Sequence, residues 1–195
     1  MSVLIAYKRG QTVYMGADNV SISRGEVRKE LSEHNYKIQR LENGMLVGVT
    51  DNDKIRQIVK GYPDIFTLDK KGKLTRKHLV EEIIPCLIIL LGENGLLDEE
   101  EKRSPRMDAC MFLAHKGELF EICSGFSVYK YEDYQAIGSM ADFAQYALYK
   151  TEPNDDVNAK IVEALECVAR YSSVVEPPFV LIDTEKLEYT VVGGE

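Results

Sequence analysis

The sequence predicts an α+β fold of four layers, an α/β/β/α sandwich of two antiparallel sheets. Three observations carry that prediction. Short apolar runs with strand-like alternation recur in hairpin-spaced pairs along the chain. Segments of helical period are inserted between them two at a time. No strand pattern leads into a GxGxxG or P-loop glycine pattern, so the parallel nucleotide-binding folds lose their main support. Sheets made this way bury their inner faces on each other and their outer faces under helix pairs.

Residues 3–8 (VLIAYK) and 12–17 (TVYMGA) flank the connection RGQ, so the chain enters a hairpin almost at its first residue. VSIS (20–23) alternates, and the charged stretch 26–35 (EVRKELSEHN) reads as an exposed excursion. YKIQRL (36–41) and MLVGVT (45–50) around the turn ENG predict a second hairpin. From Asp51 the period changes: Asp and Asn caps precede Ile55, Ile58 and Val59 at helical spacing, and Gly61 and Pro63 end the run. A longer helix is expected from Leu74 to about Leu91, capped by Thr75, closed by Gly92, and kinked by Pro85 unless that proline lies in a first turn. Strands return at 107–114, 118–124 and 126–138. Helices follow at 141–150 and 155–172, the second with Asp155 near its start and Val157, Ile161, Ala164, Leu165 and Val168 on one stripe. Residues 178–192 close the chain with two strands around DTEK.

With 195 residues, 45% of them hydrophobic, the chain can bury roughly 70% of its unfolded surface, and one domain over residues 1–195 is expected. The formal charge is -8 and the 24 basic residues are scattered, which disfavours nucleic acid as a partner because phosphate binding needs a clustered basic face. The longest apolar run, Ile83 to Leu91, is far short of the ~20 residues that cross a bilayer, so no membrane partner is expected. No basic, then apolar, leader pattern opens the sequence, and a cytoplasmic protein is the expectation.

Cys86, Cys110, Cys123 and Cys167 form no CxxC pair and read as small core residues. His34, His78 and His115 are equally dispersed. The sequence therefore implies neither metal nor cofactor.

The segment SVLIAYKRGQTVYMGAD resembles the start of the mature chain in proteasome β subunits and the HslV peptidase, a family of N-terminal nucleophile (Ntn) hydrolases. YKIQRLENGMLVGV is similar to the strand pair that carries the family lysine, and YQAIGSMADFAQYAL to the stretch that sets a hydroxyl beside the nucleophile. Carried onto these positions, the resemblance implies that Ser2 is the nucleophile once Met1 is removed, and that Asp18, Lys37 and Ser139 complete a catalytic set. The chemistry is consistent with that reading, because a serine hydroxyl needs a base and a free α-amine, with a pKa of about 7.7–8.0, supplies one in the same residue. An ammonium nearby eases formation of the alkoxide, and a carboxylate holds that ammonium.

The resemblance further implies a peptide or protein substrate, a homo-oligomeric ring of six- or seven-fold order and an ATP-driven unfoldase partner. It departs from the family in several places. Ser stands for the usual Thr, and GSM for a glycine-richer stretch. The turn that should supply oxyanion donors, Val49 to Lys54, has no glycine. Before the last hairpin only Tyr171, Ser172 and Ser173 are loose candidates for the family's remaining partners. An inactive proteasome-like scaffold is the alternative these departures raise, and a small-molecule amidase of the same superfamily is the third.

Overall fold

A computed structural model describes residues 2–23, 26–29, 32–98, 104–150, 156–173 and 175–193. Met1 and Asp155, on which two of the expectations fall, lie outside the described residues.

One five-stranded sheet holds β1 (Leu4–Arg9), β2 (Thr12–Asp18), β12 (Tyr134–Ile137), β13 (Phe179–Asp183) and β14 (Thr190–Val192), in the order β12-β1-β2-β13-β14. The other holds β5 (Ile38–Arg40), β6 (Leu46–Val49), β9 (Met111–His115), β10 (Glu118–Ile122) and β11 (Val128–Tyr131), in the order β11-β10-β9-β6-β5. Every pairing within them is antiparallel. Two small ribbons pair β3 (Val20–Ser23) with β4 (Glu26–Lys29) and β7 (Leu97–Asp98) with β8 (Arg106–Met107).

Alternation along the strands builds the layers. Leu4, Ala6 and Met15 point into the space between the sheets, where they meet Leu46, Phe112 and Ala114. Val3 and Ile5 point the other way, onto α4 (Ala141–Lys150) and α5 (Val157–Tyr171), whose Leu148, Ile161 and Leu165 cover them. An added Cβ at Gly16 would lie 2.3 Å from Ile161 Cγ2, so α5 seats against β2 only because that position has no side chain.

On the far side, Val47, Val49 and Met111 pack under α1 (Asp53–Gly61) and the segment formed by α2 (Arg76–His78), a π-helical stretch (Leu79–Ile83) and α3 (Ile84–Glu93). Asn52 caps α1 by accepting from the Lys54 and Ile55 N–H groups at 3.0 and 3.1 Å. The predicted four-layer sandwich is the observed fold, and among the described residues no helix is long and apolar enough to cross a membrane.

Several expectations are corrected. Residues 126–138 are not one strand: β11 and β12 belong to different sheets, and the chain crosses between them at Glu132 and Asp133, where the Lys8 N–H donates to the Asp133 carbonyl at 2.8 Å. The charged stretch from residue 26 contributes a strand, because backbone pairing with β3 makes no demand on side-chain polarity. The expected strand over 107–114 is split between β8 and β9. The long helix is interrupted by a π-helical stretch ahead of Pro85, which has no N–H to continue the ladder. Cys86 is exposed and the other cysteines only half-buried, so none is the core residue expected of it.

Candidate active site

Ser2 stands where the two sheets and the start of α4 converge, and it is 2% exposed. The pairing of β1 with β2, from Arg9↔Thr12 to Leu4↔Ala17, brings Asp18 beside the entry to β1. There its Oδ1 accepts the Val3 N–H at 2.9 Å. The spacing of serine and aspartate is thus a consequence of hairpin register.

Lys37 comes from the other sheet. It immediately precedes β5, where its carbonyl accepts the Val49 N–H at 3.0 Å, and its ammonium crosses the inter-sheet layer to Asp18 Oδ2 at 2.5 Å. Both side chains are buried, at 3% and 0% exposed. Burial pushes the Lys37 ammonium below the ordinary lysine range, and the Asp18 carboxylate opposes that shift. The contact spans two sheets rather than two hydrogen-bonded strands.

Ser139 arrives through β12, which pairs with β1 as far as Leu4↔Ile137 and then turns at Gly138 into α4. The Ser2 N–H donates to Ser139 Oγ at 3.0 Å, and the Ser2 carbonyl accepts the Met140 N–H at 3.4 Å. Gly138 has φ +101°, and a Cβ there would lie 2.4 Å from the Ser2 carbonyl oxygen. The turn needs glycine on both counts.

Sequence reasoning did not single out Asp51. It lies in the turn between β6 and α1 with φ 70°, a left-handed conformation that a short polar residue tolerates. Its N–H donates to Ser2 Oγ at 3.0 Å, and its carboxylate Oδ1 accepts the Ser2 hydroxyl proton at 3.3 Å. Asp51 stands at the left-handed turn position where the resemblance leads one to expect glycine. The readable signal was the pair Asp51-Asn52 between a strand and a helix, since both types favour turns and caps.

Ser2, Ser21, Lys37, Asp51 and Asn52 line an open cleft of about 250 Å³. Tyr171 is exposed, and Ser172 Oγ accepts the Val175 N–H at 3.1 Å, a local turn bond. Among the described residues no group of three His, Cys, Asp or Glu side chains could hold a metal ion.

No protein-family model matches the chain, and no curated protein sequence matches it. Solved structures do. Thiobacillus denitrificans BPH superposes with a TM-score of 0.74 at 19% identity, over 96% of this chain and 99% of that one. The same protein in complex with epoxomicin gives 0.74 at 17%, over 95% and 99%. HslV from Trypanosoma brucei gives 0.58 at 15%, over 93% and 98%. On these superpositions and the layer order above, the chain has a proteasome- and HslV-like fold.

Proposed function

We propose that this protein is an N-terminal nucleophile peptidase of the proteasome and HslV type, with Ser2 as nucleophile, Asp18 and Lys37 as the buried pair that tunes it, and Ser139 as the hydroxyl that holds its nitrogen. The observation that carries the reading is the double hold on Ser2: Asp51 N–H on Oγ at 3.0 Å and Ser139 Oγ on the nitrogen at 3.0 Å. Removal of Met1 frees the α-amine of Ser2. That amine takes the hydroxyl proton as Oγ attacks a peptide carbonyl, and the Asp51 N–H, 3.0 Å from Oγ in the free site, turns to the carbonyl oxygen as that oxygen becomes negative. The amine returns the proton to the leaving nitrogen, the C–N bond breaks, and water then hydrolyses the acyl ester. A single domain over residues 1–195, assembly of copies into a ring, and an ATP-driven unfoldase that feeds it follow from the likeness in fold and belong to the same proposal.

The test joins intact mass to covalent labelling. The purified protein should lack the mass of Met1 and gain one acyl group from a peptide β-lactone, and Ser2→Ala should gain none. Retention of Met1 in every preparation, or hydrolysis undiminished in Ser2→Ala, refutes the mechanism.

One observation favours the second reading, a proteasome-like scaffold without activity. The Asp51 carboxylate lies 3.3 Å from Ser2 Oγ, where its charge opposes a developing oxyanion. A processed Ser2 that stays unlabelled in the wild type and becomes reactive in Asp51→Gly would decide for that reading.

A further inference from the structure

Behind the Thr50-Asp51 turn, β9 and β10 end on two cysteines. The strands pair from Glu118↔His115 to Ile122↔Met111, so one step further along the same register sets Cys123 opposite Cys110. Backbone bonds show which kind of pair this is. The Cys123 N–H donates to Ser127 and its carbonyl accepts from Phe126, at 3.0 and 2.8 Å, both on the β11 side. The Cys110 carbonyl accepts the Thr50 N–H at 3.1 Å, on the β6 side. Both residues spend their backbone groups outward, which makes them a non-hydrogen-bonded cross-strand pair.

In such a pair the Cα atoms stand about 4.5 Å apart with both side chains on one face. A disulfide spans Cα atoms about 4.4–6.8 Å apart. The shared face is the inter-sheet one, since Cys110 packs on the Leu4, Phe112 and Ala114 cluster. Both thiols are half-buried and free.

We infer that Cys110 and Cys123 are a modification site, a thiol pair that closes to a cross-strand disulfide on reaction with a low-molecular-weight disulfide, and that the closed bond changes the reactivity of Ser2. In the first step Cys110 sulfur attacks one sulfur of the oxidant, whose S–S bond breaks, and the expelled thiolate takes the Cys110 proton. In the second, Cys123 sulfur attacks the mixed disulfide on Cys110, releases the other half as a thiolate, and its proton goes to that group. Two protein thiols are oxidised, and one external disulfide is reduced to two thiols.

Burial pushes both thiols up, and Cys123 is held in addition by a side-chain acceptor, so Cys110 is the one that attacks first. The Cys123 thiol donates to Glu121 Oε1 at 3.1 Å, and burial together with that carboxylate pushes it up to about 12. Tyr131 Oη donates to the other oxygen of Glu121 at 2.7 Å.

The route to Ser2 is short. The Cys110 carbonyl also accepts from Thr50 Oγ1, at 3.3 Å. Asp51, the next residue, carries the N–H on Ser2 Oγ at 3.0 Å. A bond from Cys110 to Cys123 ties β9 to β10 at the residue whose carbonyl anchors that donor, so the turn adjusts with it.

The experiment incubates the full chain with oxidised glutathione and maps peptides without reduction. A peptide pair linked through Cys110 and Cys123, reversed by dithiothreitol and absent in Cys123→Ser, is the expected result; serine keeps a donor for Glu121. Four free thiols, or a glutathione adduct that never resolves, overturns the site. The link to Ser2 rests on the proposed function, and it is read in two ways. β-Lactone labelling should differ at least threefold between oxidised and reduced protein, with no difference in Cys123→Ser. Amide exchange over residues 49–52 should change on oxidation in the same pattern. Exchange that changes while neither state labels refutes the peptidase reading and supports the coupling, whereas unchanged exchange overturns the coupling.

Discussion

Asp51 holds Ser2 from both ends of one residue, its backbone N–H on Oγ at 3.0 Å and its carboxylate accepting the hydroxyl at 3.3 Å. The backbone half needs only the left-handed φ of 70°, and the side-chain half needs the carboxylate as well. Substitution can therefore separate them. Asp51→Gly keeps the N–H and suits the left-handed backbone, and should match or exceed wild-type stability by about 1 kcal/mol. Asp51→Ala also lacks the carboxylate but retains the Cβ penalty, so its Tm should fall below that of Asp51→Gly by a few degrees. If the N–H is the oxyanion donor, both variants should still label at Ser2.

The Lys37–Asp18 pair makes a sharper stability prediction. Lys37→Met leaves the Asp18 carboxylate buried and uncompensated, at a cost of about 3–5 kcal/mol, or roughly 10 °C in Tm. Adding Asp18→Asn removes the stranded charge and leaves an acceptor for the Val3 N–H, so the double variant should be more stable than the single one. Thermal unfolding of the four proteins in that cycle measures the coupling, and strict additivity would contradict the pairing.

Gly138→Ala tests the turn that brings Ser139 to the site. A methyl 2.4 Å from the Ser2 carbonyl oxygen cannot be accommodated without displacing one of the two segments. We expect a loss of at least about 2 kcal/mol from strain and overpacking together, and a larger proportional loss of Ser2 labelling than in Ser139→Ala. Wild-type labelling in Gly138→Ala would show that the turn does not set Ser2.

His115 gives a pH prediction. It is buried at the end of β9, and burial pushes its imidazole below the usual histidine range, with Lys116 adding to the effect. The folded state then binds this proton at lower pH than the unfolded chain does. As pH falls below about 6.5, the unfolded state takes up the proton first and stability is lost. Between pH 7 and pH 5 the wild type should lose a few degrees of Tm more than His115→Phe does.

The fold was legible because its strands are short, β-branched and alternating, and its helices carry caps at readable places. Ala141–Lys150 coincides with its predicted span, and Thr75 accepts the His78 N–H as a cap should. Legibility failed where the signal is not apolar. The charged strand Glu26–Lys29 pairs in register with Val20–Ser23 although it carries no apolar alternation, and Glu132-Asp133 divides two strands that read as one. At the site, Ser2, Asp18, Lys37 and Ser139 were reachable through motif resemblance, and the structure brings all four together. Asp51 was missed, because the property that matters there is a left-handed φ, and glycine is only its commonest sequence sign; the turn-favouring pair Asp51-Asn52 was the weaker sign of the same backbone.

The Asp18–Lys37 contact has a consequence for how the chain matures. Its two charges belong to different sheets, and Ser2 is completed by a partner 137 positions away. No hairpin or half-sandwich can assemble this constellation by itself. A chain whose two sheets have not docked therefore holds its second residue without the Asp18–Lys37 pair beside it, and docking of sheet on sheet is the step that assembles the constellation.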